Sequence, residues 1–355
     1  MNHELLVSKL SAYHVTDKSL ALFRSYLADR SQYVFVNGKR SSLGKIEHGV
    51  PQGSILGPLL FTLYINDMPL HISQPSVRCS MFADDATLDC STNDVNILSK
   101  SLQTSLDDIS QWCHENYMVP SATKTECMLI ATRQWHQLHQ PSLSLTLNSQ
   151  PLRQVSEHRL LGVVIDDQLE WHAHLDKVCK TVSRNLFLLS KLIHFTDVPT
   201  RQLFYHAHVQ PHIDYASTVW DGCSDACIKR LNSLHRRAAK LILPKRSDST
   251  DERMKELGML PLRKQLLFNK GVLMHKIQQS SAPQYLTDLF SPAASPYSSS
   301  RNSLLVPRPR LDIFKNSLSF SGAKLWNALP KEVTGSPTTP TFRGRLKKHL
   351  EGLDT

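Results

Sequence analysis

The sequence lacks several features that define common protein classes. No apolar run approaches the roughly 20 residues that a membrane-spanning helix requires, so we expect no membrane partner. The first ten residues contain no long apolar stretch, and a secretory signal is not expected. Glycine is scarce, at 13 of 355 residues, and there is no internal repeat. The composition, 41% hydrophobic and 20% charged, is that of one large globular domain or two ordinary ones.

The sequence also lacks a standard zinc-binding pattern. Seven cysteines are scattered along it, and only Cys223 and Cys227 lie close together. Free thiols in a reducing compartment are the simplest interpretation. Two His-x-His pairs, at 172/174 and 206/208, have no zinc-finger spacing. We therefore expect these histidines to be partly exposed residues of helices and loops.

The charge is unbalanced in the basic direction. The formal net charge is +10 and the isoelectric point is about 9.2. This excess suits a polyanionic partner such as nucleic acid, although many basic proteins bind none. Three tryptophans, Trp171, Trp220 and Trp326, could stack on bases, but core packing is favoured for each.

Hydrophobic periodicity and turn residues predict an α+β order of elements. In the first half we predict a helix from Thr16 or Asp17 to Leu27 and a hairpin of residues 32–36 and 42–46 that turns at Asn37-Gly38. A loop over 49–58, a helix over 59–66 and a hairpin over 77–88 with Asp84-Asp85 at its tip are predicted next. They are followed by a helix over 98–116, a buried strand over 127–130, a loop or β-connection over 132–141 and a strand over 160–165. From Trp171 onward the pattern is mostly helical, with helices over 178–192, 200–208, 225–243 and 342–350 and a Ser- and Pro-rich linker over 291–310.

Two adjacent carboxylates, Asp84 and Asp85, are the first candidate site. Like charges so close together repel each other unless a cation neutralises them. A divalent metal is therefore one physical interpretation, and an exposed turn that happens to be Asp-Asp is the other. The loop that contains Gln52 and Gly53 lies a short way upstream, where small residues would let backbone approach a nucleotide or template base.

The strings GVPQGSILGPLLFTLYIND and MFADDATL, taken together, resemble the palm of LINE-type (non-LTR) retrotransposon reverse transcriptases. The segments TKTECMLI, LGVVID, YASTVW, RRAAK, LGMLP, APQYL and LWNALP extend this resemblance over nearly the whole chain. It implies RNA-templated addition of deoxynucleotides to a DNA 3′ end. The implied partners are an RNA template, a DNA primer or RNA/DNA hybrid, and deoxynucleoside triphosphates, in the nucleus or cytoplasm.

The resemblance also assigns roles to individual residues. Asp84 and Asp85 would hold Mg²⁺, and Lys124 would assist at the phosphates of the nucleotide. The nucleotide and template site would be lined by Pro51, Gln52, Gly53, Ser54, Phe82 and Ala83. The helix over 225–243 would offer nucleic acid the side chains of Arg230, Arg236, Arg237 and Lys240, although a solvated basic face is an equal alternative.

The chain departs from the family at its start. The family motif F-x-x-x-F-D-x-V-x-H-x-x-L-L contains the first metal-binding aspartate, and residues 2–6 match only the end of that motif. We therefore expect an N-terminally truncated enzyme that is inactive alone. The alternatives are an active polymerase whose missing N-terminal part lies in unread upstream sequence, a non-catalytic protein that still binds nucleic acid, and a decayed relic of a retroelement.

The expected fold is a partial reverse transcriptase palm, an antiparallel sheet with helices, followed by a mainly helical thumb and C-terminal region. We place the palm in residues 1–135, the connection and thumb in residues 136–250, and the helical C-terminal region in residues 251–355.

Overall fold

The structure, a computed structural model, describes residues 1–139, 141–244, 249–293 and 303–353. The chain divides into two compact units, Met1–Ser156 and Glu157–Thr355. Both combine helices with small β-sheets, so the mixed α and β character that the sequence predicts is confirmed. No helix in the described part of the chain is both long and apolar enough to cross a membrane.

The first unit contains short strands placed between helices. Its helices are α1 (His3–Ala12), α2 (Asp17–Leu27), α3 (Leu56–Ile65), α4 (Val95–Glu115) and α5 (Arg133–His139), with a 3₁₀ helix at Met68–His71. Its strands are β1 (Ser31–Gln32), β2 (Phe35–Val36), β3 (Lys39–Arg40), β4 (Gly44–Lys45), β5 (Val77–Phe82), β6 (Asp85–Cys90), β7 (Glu126–Cys127), β8 (Thr146–Leu147), β9 (Gln150–Pro151) and β10 (Arg153–Gln154). Among the described residues the strands pair two by two, antiparallel except for β7 with β10.

The main core of the first unit lies between α1, α3 and α4. Leu6, Leu60 and Trp112 are almost fully buried there. Lys9 ties the three helices together, because its Nζ donates to the Tyr64 carbonyl at 2.7 Å and to Asp67 at 2.7 Å. The same ammonium lies 4.8 Å from the centre of the Trp112 ring. This core therefore fixes the segment that precedes the β5–β6 hairpin.

The second unit is mainly helical. It begins with the hairpin of β11 (Glu157–Leu160) and β12 (Val163–Asp166). Its helices are α6 (His172–Leu192), α7 (Val198–His208), α8 (Gln210–Asp214), α9 (Ser217–Trp220), α10 (Asp225–Ile242), α11 (Thr250–Glu256), α12 (Leu262–Gln278), α13 (Gln284–Thr287), α14 (Asp312–Lys315), α15 (Leu318–Ala328), α16 (Lys331–Thr334) and α17 (Thr339–Gly352).

Two apolar clusters stabilise the helices of this unit. The first surrounds Trp220 and includes Leu186 of α6, Tyr205 of α7 and Leu231 of α10. The second contains Trp326 and Phe342, whose stacked rings lie 6.0 Å apart. The exposed fractions of Trp171, Trp220 and Trp326 are 7%, 0% and 3%, which confirms that each is a core residue.

Several predicted boundaries are wrong for identifiable reasons. Helix α3 begins at Leu56 and not at residue 59, because Pro58 in the first turn of a helix needs no N–H partner. Residues 133–139 form a helix and not a loop, stabilised by the stacked rings of Trp135 and His139 one turn apart. Residues 160–165 span the end of the first strand, the turn and most of the second strand of a hairpin. Its turn residue Leu161 has φ of 46°, a conformation that leucine rarely adopts and that the sequence therefore does not indicate.

Other differences are smaller. The return strand after Asn37-Gly38 begins at Lys39 and not at residue 42, since a two-residue turn with both φ values positive closes the hairpin at once. The predicted strand over 127–130 shrinks to Glu126–Cys127, which are half-buried. His174 is buried, contrary to the expectation of partly exposed histidines. Of the predicted linker over 291–310, Pro292 bridges to Leu304, while residues 294–302 lie outside the described residues.

Candidate nucleotidyl-transfer site

The carboxylate pair lies at the end of a regular antiparallel hairpin. Strands β5 and β6 form six direct pairs that end with Phe82 opposite Asp85. The two-residue turn is therefore Ala83-Asp84, and Asp85 is the first residue of β6. This corrects the prediction that both aspartates form the tip. Residues 82–85 are all exposed.

The hairpin has one apolar face and one polar face. Cys79 and Leu88 are direct partners on the inner face, and both pack against the core of the first unit. On the outer face, Arg78 donates to Asp89 across the strands at 2.7 Å. Asp85 shares this outer face with its partner Phe82, because directly opposed residues of an antiparallel pair project to the same side. The packed inner face thus fixes the position of an exposed, acidic end.

The loop before α3 is a tight turn whose geometry depends on glycine. The Ser54 amide donates to the Pro51 carbonyl at 3.2 Å, and Gly53 has φ of +82° at the third position of the turn. Such a turn requires a positive φ at this position, which favours glycine. The side chain of Gln52, the second residue of the turn, is exposed.

Ser54 connects this turn to the first turn of α3. Its Oγ donates to the Pro51 carbonyl at 2.7 Å and accepts from the Gly57 amide at 3.1 Å. A Cβ added at Gly57 would lie 3.0 Å from that Oγ and 3.2 Å from the Pro51 carbonyl oxygen. The local geometry of the turn therefore accounts for the serine and the two glycines of the pattern Pro-Gln-Gly-Ser-x-x-Gly without a ligand.

Two apolar clusters connect the hairpin to two other predicted site segments. Val50 and Leu56, on either side of the turn, pack against the same core as Cys79 of β5. Leu88 of β6 also packs against a second cluster, which includes Ala122 and Cys127 on either side of Lys124. The turn at 51–54 and the segment of Lys124 are thus each joined to the hairpin through shared apolar contacts.

Lys124 itself lies in a turn before β7. Its amide donates to the Ser121 carbonyl at 3.2 Å, and the Thr125 amide donates to the same oxygen at 3.0 Å. The Lys124 side chain is exposed. It therefore has the freedom to approach an anionic ligand.

The donor set of the aspartate pair fits a hard divalent cation. Mg²⁺ is commonly held by one or two carboxylates, with water and substrate phosphates as the other ligands. Asp84 and Asp85 supply two exposed carboxylates. Within the described ranges, however, no group of three or more Asp, Glu, His or Cys side chains could hold a metal ion. The residues present thus fit one Mg²⁺ and do not by themselves form a two-metal cage.

The basic helix α10 contains cations that are paired with carboxylates and cations that are not. One face, which includes Leu231 and His235, is buried. Arg230 forms an ion pair with Asp176, and Arg236 forms one with Asp251. Arg237 and Lys240 are exposed and have no ion pair or hydrogen bond from their side chains within the described part of the chain. Of the four predicted nucleic-acid-binding residues, these two are the most available to an external anion.

The two units differ strongly in charge. Residues 1–156 contain 12 basic and 13 acidic residues, a net charge of −1. Residues 157–355 contain 29 basic and 18 acidic residues, a net charge of +11. The whole basic excess of the chain therefore belongs to the second unit, which also contains α10.

Residues 1–165 match the family described as reverse transcriptase (RNA-dependent DNA polymerase). This span contains the aspartate hairpin, the turn at 51–54 and Lys124. Together with the relatives described next, this match confirms the LINE-type resemblance that the motifs indicate.

Among similar proteins is a "Probable RNA-directed DNA polymerase from transposon BS" of Drosophila melanogaster, 27% identical over 251 residues, which cover 68% of this chain and 27% of the relative. The "RNA-directed DNA polymerase from mobile element jockey" of the same species is 30% identical over 176 residues, covering 48% of this chain and 19% of the relative. A "Retrovirus-related Pol polyprotein from type-1 retrotransposable element R1 2" of Nasonia vitripennis is 24% identical over 177 residues, covering 48% of this chain and 43% of the relative. The chain thus spans about a quarter or less of the length of the first two.

Proposed function

We propose that this chain takes part in RNA-templated DNA synthesis, with its nucleotidyl-transfer site at the end of the β5–β6 hairpin. The observation that carries this proposal is the exposed Asp84-Asp85 pair on a hairpin that packs against the same apolar clusters as residues flanking the turn at 51–54 and Lys124. The family match over residues 1–165 supports the same chemistry.

Each segment has a distinct role in this proposal. Asp84 and Asp85 bind Mg²⁺, which when bound stabilises the charge that develops on the transferred phosphate. Lys124 neutralises phosphate charge on the incoming deoxynucleotide. The exposed backbone at Gln52 and Gly53, beside Ser54 and Pro51, lies against a nucleotide or template base. Phe82 and Ala83 form the apolar wall next to the carboxylates.

The two units have separate tasks. The first unit is assigned as the palm, and the helices that follow the β11–β12 hairpin as thumb and C-terminal region. Arg237 and Lys240 bind the phosphates of an RNA/DNA duplex, since the second unit carries the net charge of +11. Arg230 and Arg236 contribute less, because each already faces a carboxylate.

We further propose that the chain alone does not polymerise. A two-metal site requires carboxylates that clamp both ions, and the described residues offer only the Asp84-Asp85 pair at this position. The competing function is binding of nucleic acid without catalysis, which the exposed cations of α10 favour.

Primer extension on an RNA template with Mg²⁺ tests these statements. The proteins compared are this chain and a chimera in which a segment with the family motif F-x-x-x-F-D-x-V-x-H-x-x-L-L precedes it. We expect extension only by the chimera, and loss of extension in its Asp84→Asn/Asp85→Asn variant.

A matched control is Asp107→Asn/Glu115→Gln, which removes two exposed carboxylates of α4 whose partners are glutamine amides. This control should leave extension unchanged. Binding of Mn²⁺, followed by electron paramagnetic resonance, gives a readout without activity and should weaken only in the Asp84/Asp85 variant. Extension by the chain alone would refute its inactivity. Failure of the chimera, with nucleic acid still bound, would favour the non-catalytic function.

A further inference from the structure

A two-stranded ribbon in the first unit is not part of the nucleotidyl-transfer site described above. It comprises residues 31–45, in which β1 pairs with β4 and β2 with β3 around the Asn37-Gly38 turn. Every residue of this ribbon is exposed. An isolated two-stranded hairpin is marginally stable in water, and exposed apolar residues on such a ribbon indicate a surface that binds something.

One face of the ribbon combines aromatic rings with a guanidinium group. Tyr33, between strands β1 and β2, and Phe35, in β2, lie on the same side of the ribbon, because Arg40 contacts one ring and is the strand partner of the other residue. Phe35 is directly opposite Arg40, which therefore shares that side. The guanidinium carbon of Arg40 lies 4.9 Å from the centre of the Tyr33 ring. The exposed fractions of Tyr33 and Phe35 are 47% and 61%.

The ribbon is also a local concentration of positive charge. Residues 30–45 contain Arg30, Lys39, Arg40 and Lys45 and no acidic residue. The rest of the first unit then has eight basic and 13 acidic residues, since the whole unit has 12 and 13. Lys45, the partner of Ser31, is a further exposed cation of the ribbon. An anionic partner is therefore favoured at the ribbon more than at the remaining, net acidic surface of this unit.

From this arrangement we infer that the ribbon is a binding site for single-stranded nucleic acid without sequence preference. Exposed aromatic rings bind unpaired bases by stacking, and neighbouring cations neutralise the phosphates between them. An arginine over an aromatic ring adds to such a stack. A duplex offers no unpaired base to Tyr33 and Phe35, so the site selects single strands. The inference deepens the proposed function, on which it rests, by adding a contact for the strand that is not yet paired.

The test measures binding of the full chain to a fluorescein-labelled oligouridylate by fluorescence anisotropy, with a blunt RNA/DNA duplex as the second probe. Tyr33→Ala/Phe35→Ala should weaken oligouridylate binding about tenfold or more and leave duplex binding almost unchanged. Tyr33→Phe/Phe35→Tyr retains both rings and should bind as the unaltered chain does.

The opposite face of the ribbon provides the control. Val34→Thr/Val36→Thr removes exposed apolar groups from residues that alternate with Tyr33 and Phe35, at little cost in strand propensity. It should leave oligouridylate binding unchanged. Equal weakening of oligouridylate binding in this variant and in the Tyr33/Phe35 alanine variant would overturn the site.

Other outcomes separate this site from the proposed function. Failure of the chain to bind either probe would overturn both. Loss of duplex binding in Arg237→Gln/Lys240→Gln, with no effect of the ring variants on oligouridylate, would overturn the ribbon site alone. A change in sedimentation with the ring variants, without a change in oligouridylate binding, would identify the ribbon as a contact between two copies of the chain and overturn the site.

Discussion

Ala83 lies beside the candidate metal-binding carboxylates and has an unusual backbone conformation, with φ of 51°. The left-handed region costs an L-residue with a Cβ roughly 1–2 kcal/mol, and a two-residue hairpin turn with a positive φ at its first position normally contains glycine there. Strained residues of this kind occur preferentially at functional sites. Neither the alanine nor its neighbours indicate this conformation in the sequence.

Replacement of Ala83 by glycine should therefore stabilise the hairpin. We expect Ala83→Gly to raise the local free energy of unfolding by up to about 1 kcal/mol, since glycine adopts positive φ without steric cost. Hydrogen–deuterium exchange of residues 77–90 should become slower. Ala86→Gly is the control on the same hairpin, because Ala86 is a paired strand residue and glycine there should speed exchange. Faster exchange in Ala83→Gly would show that the turn is not strained.

At the scale of elements, a buried histidine joins three segments of the second unit. His235 of α10 donates from Nε2 to the Leu260 carbonyl at 2.9 Å, which leaves Nδ1 to accept from the Tyr205 hydroxyl of α7 at 3.0 Å. Burial lowers the pKa of His235 below its ordinary value of 6.5, although the carbonyl of Leu260 and the charge of Asp214 act in the opposite direction. The neutral ring is the form that fits this network.

The sign of the resulting pH dependence follows from that lowered pKa. Above about pH 6.5 the ring is neutral in both folded and unfolded chains, and its contribution to stability is fully present. As the pH falls from there through the folded-state pKa, the unfolded chain binds the proton more readily, so the free energy of unfolding decreases. His174, whose pKa is also lowered chiefly by burial, adds to the same trend.

Urea unfolding followed by tryptophan fluorescence at about pH 7.5 and about pH 5.5 would measure this dependence. We expect a lower midpoint at the acidic pH for the unaltered chain and a shallower dependence for His235→Gln. The exposed His194 supplies the control, since His194→Gln should leave the dependence as it is. An unchanged pH dependence in His235→Gln would mean that this ring does not titrate on unfolding.

Several long helices and the two central hairpins could be predicted from the sequence, because their apolar periodicity and Asn-Gly or Asp-rich turns act locally. Helix α4 and helix α10 end within a few residues of their predicted bounds for this reason. Helix α12 is not predicted by the apolar pattern, since its buried residues include Lys270 and His275. The turn at Leu161-Gly162 could not be predicted, because it depends on a leucine held at positive φ. The aspartate pair and the turn at 51–54 could be found from their motifs, whereas the aromatic face of the ribbon needs the strand register that places Arg40 beside Tyr33.

For the whole molecule, the division of charge predicts how binding should depend on salt. The slope of log affinity against log salt is negative, and its magnitude should decrease by about 0.9 for each duplex phosphate that a variant no longer neutralises. Arg237→Gln/Lys240→Gln removes two exposed, unpaired cations of the described part of α10, so we expect the magnitude of the slope to decrease by about 2. Arg230→Gln/Arg236→Gln changes the net charge equally but removes cations already paired with Asp176 and Asp251.

This matched pair of variants separates specific contacts from general attraction. A smaller change of slope in Arg230→Gln/Arg236→Gln, measured by anisotropy of an RNA/DNA duplex over a salt series, would mean that phosphates lie directly against Arg237 and Lys240. Equal changes in the two variants would mean instead that the +11 charge of residues 157–355 attracts the duplex without a defined position on α10. In that case the duplex-binding role of this helix would be wrong, even if the chain binds nucleic acid tightly.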